Sequence, residues 1–193
     1  MIPASVRYIY DNAFSGCSAL ASITFEDGCI SFGKNAFKGA IISSITLPNT
    51  LEYIGEGAFT ECQSLTSIKL PDSVTEMGKS VFANCRALTS ATLSQSLTSI
   101  PEQAFQYCTK LNNVVVPSSV SEIGGFAFDS CSALAKITIN EGVKSIGNGV
   151  FYSCNKLVSI TMPNTLQSIG ENVRGVLQNH PLKKLDLCFS CRT

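Results

Sequence analysis

Histidine occurs once in these 193 residues and tryptophan not at all. Charge is scarce: fourteen Lys plus Arg face fourteen Asp plus Glu, together 15% of the chain. A balance of that kind excludes the basic stripe that a nucleic-acid binder needs, and equally a polybasic membrane patch. No apolar run approaches the roughly 18 residues of a membrane span, so no direct membrane insertion is expected. The first ten residues lack a charged n-region followed by an apolar h-region, so no signal peptide is read. A mature secreted fragment would look the same, and the compartment stays open on this ground. Acidic residues are scattered singly, with no carboxylate pair and no acidic calcium loop. No N-x-S/T sequon occurs. The lone His180, in "QNHPL", would need a Ser or Cys held near it to act as a base, and its loop position in the divergent end reads as an ordinary surface residue. "GEG" at 55–57 and "GNG" at 147–149 lack the third Gly or the Lys-Ser/Thr of a phosphate loop. No enzyme, cofactor or metal centre is expected from these residues.

What is present is a repeat. Phe14, Phe37, Phe59, Phe82, Phe105, Phe128 and Phe151 recur at steps of 23, 22, 23, 23, 23 and 23. Three residues behind runs a second column: Cys17, Ala40, Cys62, Cys85, Cys108, Cys131 and Cys154. A third holds Leu20, Ile42, Leu65, Leu88, Leu111, Leu134 and Leu157. The one short step fits a deletion between Ala40 and Ile42. Within each unit, I-x-L (as in "SIKLP") alternates apolar with polar and reads as a short strand. The Pro that often follows, as at Pro48, Pro71, Pro117 and Pro163, cannot donate to a ladder and ends it. An apolar pair three apart comes next, such as Val74 and Met77, and then a Gly that permits a turn. "AFxxCxxL" suits one helical or 3₁₀ turn. About seven apolar positions per unit form no core alone, but stacked units share one.

The pattern L-x-x-I-x-L-P-x-x-[VL]-x-x-I-G-x-x-A-F-x-x-C resembles the BspA-type leucine-rich repeats of bacterial and trichomonad surface proteins, from Pro3 to Leu187. The expected fold is a repeat solenoid, a right-handed leucine-rich-repeat superhelix of α/β type with seven to eight coils. A parallel sheet is expected on its concave side and short 3₁₀ or irregular segments on the convex side. Residues 1–193 are expected to form one domain, with seven Phe-marked repeats from 3 to 162 and a divergent last repeat or C-terminal cap over 163–193. "IPASVRYI" aligns with "LPDSVTEM", so the chain starts inside a repeat and is expected to be a piece of a longer protein. The resemblance implies a non-enzymatic module for adhesion or protein binding at a cell surface or in secretion. The implied partner is a protein ligand, such as a host matrix or cell-surface protein, and a monomer is expected. Repeat columns are scaffold, so the function itself does not follow from them.

Nine Cys invite a disulfide or metal reading. Six lie in one column between two apolar columns, and Ala40 fills the same slot. That suits a small buried filler and does not suit a ligand. Equivalent residues in stacked units also have near-parallel Cα–Cβ vectors, poor geometry for a disulfide. Cys29 aligns with Leu51 and Val74 and reads as core. "CFSC" at 188–191 stands apart: free or mutually joined thiols in a cap or tail, or half of a redox or zinc site.

If the strand Ile and Leu point inward, two columns face outward. One is Ser22, Ser44, Ser67, Ser90, Asn113, Lys136, Ser159 and Lys184; the other is Thr24, Thr46, Lys69, Thr92, Val115, Thr138, Thr161 and Asp186. A Ser/Thr carpet is ordinary sheet surface, but it can also serve as a flat ligand face. The candidate ligand-binding residues are Lys69, Thr92, Asn113, Val115, Lys136 and Thr138. A structural spacer carrying another domain outward is the alternative reading.

Overall fold

The computed structural model describes residues 1–173. His180, Cys188, Cys191, Lys184 and Asp186 lie outside the described residues. The chain winds into coils of one repeat each, with every core column stacked on its counterpart one coil away. Among the described residues there are no helices; the regular elements are thirteen short parallel strands.

From Ser67 onward each coil contributes two strands. The first strands of the coils are β4 (Ser67–Lys69), β6 (Ser90–Thr92), β8 (Asn113–Val116), β10 (Lys136–Ile139) and β12 (Ser159–Thr161), hydrogen-bonded in that order into one parallel sheet. These are the I-x-L segments. Their middle residues, such as Ile68, Val114 and Ile137, are buried, and the flanking ones face out. The equivalent segments around Ile23 and Ile45 make only one isolated bridge, between Ile2 and Phe25. The missing residue between Ala40 and Ile42 falls one coil before the ladder begins at Ser67.

The second strands are not legible in the sequence. They are β1 (Tyr8–Ile9), β2 (Ser31–Phe32), β3 (Tyr53–Ile54) and β5 (Glu76–Met77), then β7 (Ser99–Ile100), β9 (Glu122–Ile123), β11 (Ser145–Ile146) and β13 (Ser168–Ile169). They form two further parallel four-stranded sheets, so the wall is strand-built on two sides rather than one. Apolar residues three apart look like a turn. Here a turn at Asp72 and Ser73 precedes Val74, and only its partner Met77 sits in a two-residue strand, too short to show alternation.

The break between these two sheets has a covalent cause. In the other coils the Gly after the second strand donates its N–H to the preceding coil, as in Gly55 to Phe32 O (2.8 Å), Gly78 to Ile54 O (2.7 Å) and Gly124 to Ile100 O (2.8 Å). Pro101 occupies that slot in one coil and has no N–H to give. The Met77 carbonyl loses that donor, and β5 and β7 do not pair.

That Gly column also corrects the sequence reading of its role. These glycines are not where φ turns positive. They are needed because a Cβ would strike the neighbouring coil: at Gly78 it would lie 2.2 Å from Glu56 N and 2.6 Å from Glu56 Cα. Apart from Gly142, positive φ occurs in two columns flanking the Phe. Asn12, Asn35, Gly57, Ser80, Gln103, Phe126, Gly149 and Asn172 stand two before the Phe slot; Gly16, Gly39, Glu61, Asn84, Tyr107, Ser130 and Ser153 stand two after it. Gly and Asn, which tolerate this region best, fill eight of these fifteen positions. Left-handed residues at both places convert the segment into linked turns. Alternate N–H groups then point along the axis and within the coil. Asn35, Phe37 and Gly39 donate to the next coil at Glu56 O, Ala58 O and Thr60 O (2.8 Å each). Ala36, Lys38 and Ala40 donate to carbonyls three residues back. The turn wall thus satisfies its backbone without a helix.

Inside, the seven Phe rings stack face to face along the axis, with centroids 5.1–6.0 Å apart and interplanar angles of 16° or less. The scattered acids turn out to be corner pieces. Asp27 Oδ1 accepts the Asn49 amide at 2.6 Å, Asp72 Oδ1 that of Gln95 at 2.9 Å, and Glu141 Oε1 that of Asn164 at 3.0 Å. Asp27, Asp72 and Glu141 each meet a neutral residue in the next coil, so these carboxylates do not stack on one another.

Candidate functional site: the strand face and the thiol column

All six candidate residues lie on the outer side of the first sheet, and the register brings them into two rows. Lys69 pairs with Thr92, and Val115 with Thr138. In the adjoining row Ser67 pairs with Ser90, Ser90 with Asn113, and Asn113 with Lys136. Neighbours within a row are about 4.8 Å apart. Lys69, Thr92, Asn113, Val115 and Lys136 are exposed, and Thr138 is half-buried. Val115, an apolar residue amid hydroxyls, is 56% exposed.

The two lysines are three strands and one row apart, about 16 Å. Among the described residues the ion pairs are Lys34–Glu56, Lys38–Glu61 and Lys79–Glu102, none of them on this face. Asn113 Nδ2 donates to Asn112 Oδ1 at 2.7 Å, which orients the amide on its strand. Thr66 and Thr89 spend their hydroxyls on carbonyls of the preceding coil. The face is therefore mildly basic, and the two grooves found among the described residues lie off it.

The cysteine column is structural. Cys62, Cys85, Cys108, Cys131 and Cys154 are buried and reduced; Cys17, in the first coil, is only half-buried, unlike its counterparts. Cys29 is buried as its column implied. Each buried column thiol points its Sγ at the carbonyl of a Phe in the preceding coil: Cys62 at Phe37, Cys85 at Phe59, Cys108 at Phe82, Cys131 at Phe105 and Cys154 at Phe128, at 3.1–3.2 Å. The same carbonyls accept an N–H three residues on, as Phe59 O does from Cys62. The thiol supplies a second, weak donor to a buried acceptor, which Ala40 cannot do for Phe14. Burial pushes the Cys62 and Cys154 thiols up to about 12, and those of Cys85, Cys108 and Cys131 well above their ordinary value. The thiolate is the nucleophile, so these groups are inert while the fold holds.

A thiol reagent is accordingly expected to leave these five untouched in the native protein and to label them in denaturant; fast native labelling of Cys85 or Cys108 would overturn the packing role. Cys85→Ala should cost about 1 kcal/mol, because one small group and one weak bond are lost. Among the described residues no cluster of three or more His, Cys, Asp or Glu could hold a metal ion.

Sequence reasoning overlooked one feature of the other strand wall. Tyr8, Tyr10 and Tyr53 project outward from the first coils of the second sheet and are 50%, 75% and 37% exposed. The Y-I-Y alternation at 8–10 carries the signal, with Ile9 inward and both tyrosines outward.

Comparison with known proteins agrees with this geometry. The description "BspA type Leucine rich repeat region" matches in six copies, over residues 1–108 and 79–193. A leucine-rich repeat protein of T. pallidum is 31% identical, with 86% of this chain and 67% of that one covered and a TM-score of 0.61. One from Bacteroides ovatus is 27% identical, with coverages of 89% and 56% and a TM-score of 0.65. One from Eubacterium ventriosum, at 23% identity, shares the fold with a TM-score of 0.72 over 78% of this chain and 41% of its own. No curated protein matches significantly.

Proposed function

Because the chain belongs to the BspA-type leucine-rich repeat proteins, we propose that it is a protein-binding, adhesive module of a cell-surface or secreted protein, with its strand face as the binding surface. The supporting observation is where variation falls. The buried columns stay small or apolar coil after coil, with exchanges only such as Ala40 for Cys and Ile42 for Leu, whereas the exposed rows change chemical character, departing from Ser and Thr at Lys69, Asn113, Val115 and Lys136. Inner columns are used up in stacking coil on coil, so recognition falls to residues that differ between coils.

A preformed sheet loses little backbone freedom on binding. Thr92 and Thr138 stand beside Lys69 and Val115 as hydroxyl partners. The two rows hold no Trp, Tyr or Arg, the residues that dominate hot spots. Affinity is then modest, at best about micromolar for one copy, and several copies at a surface raise it by avidity.

The test begins with capture of host matrix proteins on the purified chain. It then compares the chain with the variant Lys69→Thr, Asn113→Ser, Val115→Thr, Lys136→Ser. Melting should hardly move, while binding to the captured protein drops at least about tenfold, or 1.4 kcal/mol. Full retention of binding would move the site off this face. Capture of no partner at all would favour the spacer reading.

A further inference from the structure

The exposed tyrosines of the second sheet form a slot. Tyr8 pairs with Ser31, and Ser31 with Tyr53. Two aromatic rings thus rise from strands two apart, with only a hydroxymethyl group between them. Two strand spacings amount to about 9.6 Å. A flat ring touching both aromatic planes needs only about 7–8 Å, so the gap suits a thicker, puckered ring. Tyr8 is backed by Tyr10, with centroids 6.1 Å apart and planes at 27°. The open groove these residues line has a volume of about 420 Å³ and runs on over Gly33 to Asp11, Lys34 and Glu56.

The polar end is ordered. Lys34 Nζ lies 2.8 Å from Glu56 Oε1, and Asp11 Oδ1 accepts the Lys34 amide at 2.7 Å. Gly33, at the floor of this end, belongs to the bare glycine column, since a Cβ there would strike Asp11 N at 2.6 Å. We infer that this slot between Tyr8 and Tyr53 is a binding site for a neutral saccharide.

The reasons are chemical. Aromatic faces take the C–H faces of a pyranose, and a few placed polar groups fix its hydroxyls. Carboxylate and ammonium stand side by side, so hydroxyl groups find both acceptors and donors. A guanidinium would meet the Lys34 ammonium, and a phosphate would meet Asp11 and Glu56. The slot is on a different wall from the first-sheet face and does not depend on the reading of that face.

With no tryptophan in the chain and three of its five tyrosines (Tyr8, Tyr10 and Tyr53) lining the slot, tyrosine emission carries a signal from the slot, and the Tyr53→Ala variant identifies it. The full chain is titrated with mannose, galactose, N-acetylglucosamine and neutral disaccharides, and separately with an arginine-rich peptide. A saturable tyrosine response to at least one saccharide is expected. Tyr53→Ala should weaken it at least about tenfold. Ser31→Tyr, which fills the gap while keeping a good strand residue, should abolish it with melting unchanged. Tyr107→Ala, on the turn wall, should leave it intact. The assignment is overturned if no saccharide perturbs the tyrosines, if folded Ser31→Tyr binds like the parent, or if only the peptide binds.

Discussion

Raising the pH from 8 to 12 under reducing conditions is expected to unfold this protein, and its buried thiols are the main reason. An unfolded cysteine ionises near pH 8.5–9, whereas burial holds Cys62 and Cys154 protonated up to about 12. Between those values the unfolded chain binds fewer protons than the native one, so stability falls as pH rises. The contribution is fully present below about pH 8.5 and disappears as pH climbs through the folded values. Three units correspond to about 4 kcal/mol for each of these two groups. Cys85, Cys108 and Cys131 are pushed up in the same direction by deeper burial. Typical net stabilities are about 5–15 kcal/mol, so the sum is enough to unfold the chain. Circular dichroism against pH, read for the parent and for the double variant Cys62→Ala, Cys154→Ala, checks this. The variant, though slightly less stable at pH 7, should lose less of its stability on going to high pH. A native spectrum retained at pH 12, or an equal loss in both proteins, would contradict the account.

Gly78→Ala is expected to destabilise the fold by more than about 3 kcal/mol, a large effect for one methyl group. The new Cβ would sit 2.2 Å from Glu56 N, with Glu56 Cα and Gly55 C also inside 2.8 Å. All three are backbone atoms, and they cannot rotate away. The coils would have to part, and the Gly78 N–H bond to Ile54 O and the β3–β5 register would go with them. Gly39→Ala is the contrasting case. Gly39 has φ +68, but a Cβ there would meet nothing within 4 Å, so only the left-handed backbone is penalised, about 1–2 kcal/mol. Urea denaturation of the two variants separates lack of space from lack of backbone freedom. If Gly78→Ala costs no more than Gly39→Ala, the close approach is not what that glycine column serves.

The buried columns were legible from residues alone. Phe82, Cys85 and Leu88 recur at fixed spacing because each coil must bury the same side against the next, so the stack shows up as a period in the chain. The first strands were legible too, since Ser67-Ile68-Lys69 alternates as a half-buried strand must. The second strands were not, because two residues such as Glu76–Met77 are too few to display a period; they become strands only when the neighbouring coil supplies hydrogen-bond partners. The left-handed columns left a partial trace in Gly16, Gly39, Asn12, Asn35 and Asn84. Tyr107 and Phe126 in the same slots hid it, because tertiary stacking overrides their own backbone preference.

The amino-acid sequence by itself determined the repeat length, the inward residue types and the outward rows that hold Lys69 and Lys136, since all three depend on spacing along one chain. Only the tertiary structure decided what lies between coils. That includes the carbonyl each thiol meets, the glycine that must be bare, the sheet broken at Pro101 and the slot between Tyr8 and Tyr53. Each of these joins residues more than 20 positions apart, and their separation is set by the distance between stacked backbones, which no local pattern records.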